Sequence, residues 1–531
     1  MSINVKKAFI NGNIYTMNEE GERVSAIATL DDKILYIGSD EEAINLADGG
    51  EVIDLEGRTV LPGLIDTHQH VQAYARNLKQ VNLRDVKTLE EIQSRLRERV
   101  KNAPKGTVIL GAGFDHEKLD PPVMPTRHDL DEVSKDHPIV ITRYCVHMNV
   151  ANSLALELGG IGKGFVPKWE NSVDFDEAGE PTGLLFEQTA ADLISRIDLG
   201  SQDEDSIKNG VEMALREDNS YGITSINPIQ GKLCDLFEQT RVYQDLRDEG
   251  RLSMRIYMGY DEFPGLGLKS GIGDEFIKYG FYKIYTDGSL GGHSALFNEP
   301  YSDDPENCGV ANHSQEELNA LVKEAYDKDL QIGVHMIGDK AIEMSLTALE
   351  ACYFENPKED IRFRMIHVSL INDEIIERMK KLPVILDIQP SYVSSNIHWS
   401  DARVGDRAKY LFSWGRFVHE GFICSGSSDS PVEPINPMIG IFAAVTRAGY
   451  DGYMPEGWHP ENKMTRYEAV SMYTRNGAYA SFEEDIKGTL AVGKLADFAI
   501  FDNDVFEVPE FEIKDIKVVA TYLGAENIYS V

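Results

Sequence analysis

The sequence predicts an α/β fold: a (β/α)8 TIM-like barrel with a small β-sandwich domain formed by both chain ends and a large insertion after barrel strand one. Three observations predict it. Short, turn-bounded β segments fill residues 5 to about 60 and recur after residue 488; apolar strands alternate with longer amphipathic stretches in between; and eight such strands can be counted. Alternation of this kind marks βα units wound around a parallel sheet.

The N-terminal strands, at 9–15, 26–30, 34–37 and 51–54, are too few to close a core by themselves. Segments 488–501 and 516–522 are equally β-rich, so residues 1–60 plus 484–531 are expected to form one small β domain. The barrel then spans 61–483. It opens on Leu61-Pro-Gly-Leu-Ile-Asp-Thr-His-Gln-His70, an apolar run read as a buried strand that ends in His68 and His70. Residues two apart in a strand share a face about 7 Å apart, within reach of one divalent ion. Further barrel strands are expected at 222–227, 254–258, 281–285, 331–335, 364–368, 384–388 and 422–426. Residues of about 80–215 do not fit the count. With strands of their own at 107–111 and 138–144, they read as an inserted subdomain that holds substrate specificity.

With 52 basic against 88 acidic residues, a net charge of −36, the surface repels nucleic-acid phosphates and anionic lipid. Neither nucleic acid nor membrane is expected as a partner. The five cysteines (Cys145, Cys234, Cys308, Cys352, Cys424) are scattered singly, which indicates no disulfide framework and suits a reducing compartment. No apolar leader follows Met1 and no run is long enough to span a bilayer. The expectation is a cytoplasmic enzyme, with a homodimer as the base-rate assembly.

Strand after strand closes on a potential ligand. After His68 and His70 come Lys283 in Lys-Ile-Tyr-Thr-Asp-Gly-Ser-Leu-Gly, His335 in Val-His-Met-Ile-Gly-Asp, His367 in Arg-Met-Ile-His-Val and Asp429 in Gly-Ser-Ser-Asp-Ser-Pro. Imidazole and carboxylate are the donors preferred by zinc and its divalent relatives, and barrel chemistry sits at the C-terminal ends of the strands.

In this order of motifs the chain resembles the metal-dependent amidohydrolase superfamily, and within it the group containing N-substituted formamide deformylases (amidohydrolase family 3). The Thr-Asp-Gly-Ser-Leu-Gly after Lys283, the His-Met-Ile-Gly-Asp at His335, the long insertion and the ending Gly-Thr-Leu-Ala-Val-Gly-Lys-Leu-Ala-Asp-Phe carry the finer likeness. The resemblance implies that His68, His70 and Asp429 ligate a first divalent metal, zinc by donor type, and that His335 and His367 serve a second metal or the substrate. Lys283 matches a position where many members carry a carboxylated lysine bridging two ions. The alternative is a plain charged lysine paired with Asp287 or another acid, so one or two metals per chain both stand.

The chemistry these ligands imply is hydrolysis of a C–N amide bond in a small N-substituted amide, an N-formyl or N-acyl compound. Asp429 acts as general base and then acid, and His367 or His335 steadies the developing oxyanion. Asp115, His147 and Glu187 in the insertion, with Asp287 after Lys283, are candidate substrate contacts. Two alternatives remain. One is a deaminase or cyclic-amide hydrolase on the same scaffold, because fold does not fix function; the other is a non-catalytic regulatory protein that retains the barrel, as some related chains are labelled regulators of exoenzyme production.

Overall fold

In the computed structural model, eight parallel strands follow one another in chain order around a barrel. They are β1 (Leu64–Gln69), β2 (Ile223–Pro228), β3 (Arg255–Tyr260), β4 (Ile277–Tyr285), β5 (Gln331–Met336), β6 (Phe363–His367), β7 (Val384–Ile388) and β8 (Ile423–Gly426). The structure describes all residues other than 1–6, 48, 85, 102, 144–147, 169–171, 199–203, 230–235 and 264–266, and leaves out the side chains of 79, 187, 188, 191, 195, 198 and 236–239. Helices such as Gln315–Asp327 and Asp339–Glu355 return the chain between strands. The first of these starts at a capping box in which Ser314 and Glu317 satisfy each other's amides.

The barrel closes just beyond β8. The Thr67 hydroxyl donates to the Gly426 carbonyl at 3.2 Å, the Asp429 amide to the His68 carbonyl at 2.8 Å, and the His70 amide to the Ser430 carbonyl at 2.8 Å. These bonds tie the first strand to the segment after the last one. The strands are covered on both faces, as in other parallel sheets: all six residues of β1, β2 and β3 are buried, the polar ones such as Asp66, Asn227 and Arg255 included.

One sequence expectation needs correction. The run from Leu61 to His70 is not a single strand, because Thr59–Pro62 belongs to a different sheet, antiparallel to Phe498–Phe501 and parallel to Asn13–Tyr15. The chain changes sheets at Gly63, where a Cβ would fall 2.1 Å from the Thr224 hydroxyl oxygen on β2. Only glycine fits there. Strand β4 also begins at Ile277, four residues before the expected start, and pairs from there with Ile256 of β3. The polar and glycine positions Lys278 and Gly280 mask that extension in the sequence.

Strands from both chain ends share the second sheet. Its order is Glu526–Ser530, Val518–Leu523, Phe498–Phe501, Thr59–Pro62, Asn13–Tyr15, Arg23–Val24, and it faces a four-stranded sheet of N-terminal strands across a core that includes Phe9, Ile14, Val60, Phe498 and Tyr522. Phe9 packs edge-on against Phe498 with centroids 4.8 Å apart, a geometry that aromatic quadrupoles favour.

The chain divides into two compact units, residues 1–71 with 215–531, and residues 72–214. The second unit has a mixed six-stranded sheet in the order Val173–Phe175, Pro181–Phe186, Met148–Ala151, Ile139–Arg143, Ile109–Phe114, Val81–Asn82. Among the described residues no helix is long and apolar enough to cross a membrane, and Cys308, Cys352 and Cys424 are free thiols.

Candidate metal centre

Strand alternation puts His68 and His70 on one side of the β1 end, and the closure bonds bring Asp429 up to both. Asp429 Oδ1 stands 3.2 Å from Nε2 of His68 and 3.2 Å from Nε2 of His70. The three ligand atoms lie within 4.8 Å of one another, a spacing one divalent cation can bridge.

His335 at the end of β5 and His367 at the end of β6 join them. Ring centroids are 5.2 Å apart for His68 and His367 and 4.5 Å for His335 and His367. Each of these two rings has one nitrogen committed. Nε2 of His335 donates to the Gly288 carbonyl at 3.0 Å, and Nδ1 of His367 to the Gln389 side-chain oxygen at 2.6 Å. Gln389 gives its own amide hydrogen to Ser427, at 2.9 Å, which fixes its orientation. Nδ1 of His335 and Nε2 of His367 are left as the lone-pair donors, the arrangement in which an outer partner sets the tautomer of a metal ligand.

Burial shapes the charge states. It drives the imidazoles of His68 and His367 well below their ordinary range, so both are neutral and available as ligands. Burial alone would raise the Asp429 carboxyl, but the neighbouring His68 and His70 reverse the effect and hold it ionised. Lys283 on β4 is buried, and its ammonium nitrogen has no hydrogen-bond partner. Burial pushes it down to about 7 against the pull of Asp429 and Asp387. Two neutral imidazoles, a carboxylate and a partnerless amine in a buried pocket form a donor set that fits a divalent ion, because burying those groups unpaired is costly.

Two of the candidate site residues have backbones in the left-handed region, His367 at φ 75° and Asp429 at φ 53°, with Val368 at φ 40°. Such conformations cost of order 1–3 kcal/mol each and persist where surrounding structure fixes them. Here the Trp414 indole donates to the His367 carbonyl at 3.1 Å, the Val368 amide to Met336 at 2.9 Å, and the Asp429 amide to His68.

The other sequence candidates have partners of their own or lie outside the described side chains. Asp287 is buried, and its oxygens accept the amides of Leu296 at 2.9 Å, Ile337 at 3.0 Å and Gly338 at 2.9 Å. It pins the loop after β4 to the loop after β5, with His335 Nε2 3.4 Å away. Asp115, in the second unit, accepts from the Arg143 guanidinium at 3.2 Å and caps the short turn His116–Lys118. Glu187 opens the helix Glu187–Asp198; its side chain, like all of His147, lies outside the described residues.

Sequence reasoning missed Gln389 and Tyr392. The Tyr392 hydroxyl donates to Asp429 Oδ2 at 2.5 Å. Both follow β7, a strand to which the sequence reading assigned no candidate ligand, although the rule that barrel sites gather at strand ends points there.

Comparison with known proteins agrees with this geometry. The amidohydrolase family profile matches residues 51–529. The Bacillus subtilis protein YtcJ is 31% identical over 99% of both chains. The N-substituted formamide deformylase of Arthrobacter pascens is 26% identical over 97% of this chain and 96% of its own. The crystal structure of an uncharacterised metal-dependent hydrolase from Pyrococcus furiosus superposes with a TM-score of 0.78 at 30% identity, covering 94% of this chain and all of that one. With four of the eight strand ends bringing imidazoles and a carboxylate together, and with a family match across nearly the whole chain, this chain belongs to the amidohydrolase family and is a metal-dependent hydrolase of carbon–nitrogen bonds.

Proposed function

We propose that the enzyme hydrolyses the C–N bond of a small N-substituted amide, an N-formyl or N-acyl compound, releasing a carboxylate and an amine. The observation that carries this reading is the single ionised carboxylate, Asp429, shared by His68 and His70 at 3.2 Å each. The likeness over nearly full length to a protein named for deformylating N-substituted formamides supports the substrate class.

In this reading His68, His70 and Asp429 hold a zinc ion, and Lys283, His335 and His367 hold a second or face the substrate. The ion supplies Lewis acidity that brings the pKa of water toward about 7 and polarises a carbonyl. Asp429, ionised and fixed, accepts the proton of the attacking water and returns it to the departing amine, a role general acid–base groups fill with about 10²- to 10⁴-fold effect. His367 or His335 steadies the charge that gathers on the carbonyl oxygen. Lys283, with its amine near neutrality, is suited to carboxylation. Asp115, His147, Glu187 and Asp287 complete the reading as substrate-side residues. A cytoplasmic homodimer acting on a small molecule fits the acidic surface, with 88 acidic against 52 basic residues.

Incubating zinc-loaded protein with a panel of N-substituted formamides and acetamides, and assaying formate or acetate together with free amine, tests this. Equimolar carboxylate and amine are expected. Ammonia release from amidines or aminopurines, with no amide turned over, would replace the reading by a deaminase.

A further inference from the structure

The chain after β7 does more than lead into the next helix. Its residues Gln389-Pro-Ser-Tyr392 reach the two halves of the metal centre from one turn. Gln389 accepts the Nδ1 hydrogen of His367 at 2.6 Å, and Tyr392 donates its hydroxyl to Asp429 Oδ2 at 2.5 Å. The turn is itself fixed, because the Tyr392 amide donates to the Gln389 carbonyl at 2.9 Å and the Gln389 side chain is held by Ser427. The Tyr392 ring is half-buried, lies nearly parallel to His367 (12° between planes, centroids 6.2 Å apart) and has Phe412 on another side.

The consequence for Asp429 is a division of labour between its oxygens. Oδ1 faces both histidines, whereas Oδ2 is taken by the tyrosine. A carboxylate with one oxygen free to turn presents either atom to water; one held at Oδ2 presents only Oδ1. A phenol hydroxyl can donate to Oδ2 whether Oδ1 carries a proton or not, so the bond survives the proton transfer.

We propose that Tyr392 is a positioning residue of the hydrolysis, holding the Asp429 carboxylate by Oδ2 so that Oδ1 stays turned toward His68 and His70, while Gln389 in the same turn locks His367. In the step, an O–H bond of water breaks as an O–H bond forms on Asp429 and the water oxygen bonds to the carbonyl carbon; later the Asp429 O–H bond breaks as the leaving nitrogen gains the proton and its C–N bond breaks. Tyr392 keeps its own hydrogen throughout. The proposal rests on the metal reading of His68, His70 and Asp429, and it does not depend on which amide is cleaved.

Tyr392→Phe preserves the ring against His367 and removes the hydroxyl. In zinc-loaded protein the variant is expected to keep wild-type metal content, to lower kcat on formanilide, or on whichever panel amide the wild type cleaves, by about 10- to 100-fold, and to leave KM within about twofold, as loss of a hydrogen bond to a charged group predicts. In cobalt-substituted protein the visible absorption of the variant should shift from that of the wild type, a readout independent of turnover. Wild-type kcat together with an unchanged cobalt spectrum would overturn the proposal. If Tyr392→Phe is insoluble, Gln389→Leu tests the same turn: zinc loss to a chelator must be faster than in the wild type, and an equal rate would overturn it. Wild-type protein that takes up neither zinc nor manganese would instead sink the metal assignment, so the two failures are distinct.

Discussion

Asp429 and His68 are joined twice, by the Asp429 amide donating to the His68 carbonyl at 2.8 Å and by Asp429 Oδ1 standing 3.2 Å from His68 Nε2. The first contact closes the barrel between its first and last strands, and the second brings together two residues of the candidate metal site. The seam of the fold and the candidate metal site are thus one structure. Removing metal should therefore loosen the barrel as well as silence it. Chelation is expected to lower Tm, since an ion at 1,000 times its Kd stabilises by about 4 kcal/mol. His68→Ala should contain less metal by elemental analysis and show no further Tm loss with chelator. A full metal complement in that variant would mean the centre is misassigned.

Asp429→Asn should abolish turnover while retaining the fold. Asparagine tolerates the left-handed backbone that Asp429 adopts at φ 53°, and its amide oxygen can still accept from Tyr392. What is lost is the basic oxygen, so kcat should fall by at least about 10²-fold, with far-UV circular dichroism unchanged. Full activity would exclude Asp429 as the base.

The barrel was legible in the sequence because its strands are buried on both faces and read as apolar runs punctuated by histidines, lysine and aspartate. The chain-end domain was legible for the opposite reason, its short strands being bounded by turns. The change of sheet at Gly63 was not, since the apolar run continues through it and only the approach of Thr224 reveals the break. The ligands announced themselves by residue type. Gln389 and Tyr392 did not, because an amide and a phenol gain their meaning from the groups they meet, His367 and Asp429, which are 22 and 37 residues away in the chain.

Lys283 gives a pH prediction. With burial holding its amine near 7, the neutral form that reacts with CO2 is scarce at pH 6 and dominant at pH 8. Reactivation of metal-free protein by zinc at fixed dissolved CO2 should be about tenfold faster at pH 8 than at pH 6. A rate indifferent to both pH and CO2 would mean that Lys283 acts as an unmodified lysine, and Lys283→Arg, which cannot be carboxylated, provides the control.

Arg364 lies three residues before His367 on β6 and is fully buried. Its Nε donates to Asp387 at 2.6 Å, one terminal nitrogen donates to the Thr67 carbonyl at 2.7 Å, and its guanidinium lies 3.9 Å from the Phe281 ring centroid. Breaking a buried pair strands the other charge, at a cost of about 3–5 kcal/mol. Arg364→Ala should therefore lower stability by that amount in urea denaturation. Arg364→Met with Asp387→Leu, which removes both charges, should recover much of the loss. Equal destabilisation of the single and double variants would show that the pair contributes packing alone.

Asp218, on the helix Glu204–Ser220, yields a stability profile. Burial pushes its carboxyl well above the ordinary range, against a hydrogen bond at 2.9 Å from Gln69 and with Asp66 adding repulsion. Its other oxygen has no partner. The folded protein therefore keeps the proton over a range in which the unfolded chain, with an aspartate near 3.9, has released it. Protons bound in the folded state exceed those in the unfolded state there, so this group's contribution to stability falls as pH rises from about 4 and reaches its full penalty above the folded-state value. Asp218→Asn has nothing to ionise and can still accept from Gln69. It should match the wild type near pH 4, exceed it by a few degrees in Tm at pH 8, and show a shallower pH dependence between. A variant less stable than the wild type across the whole range would mean that the ionised carboxylate is the stabilising form.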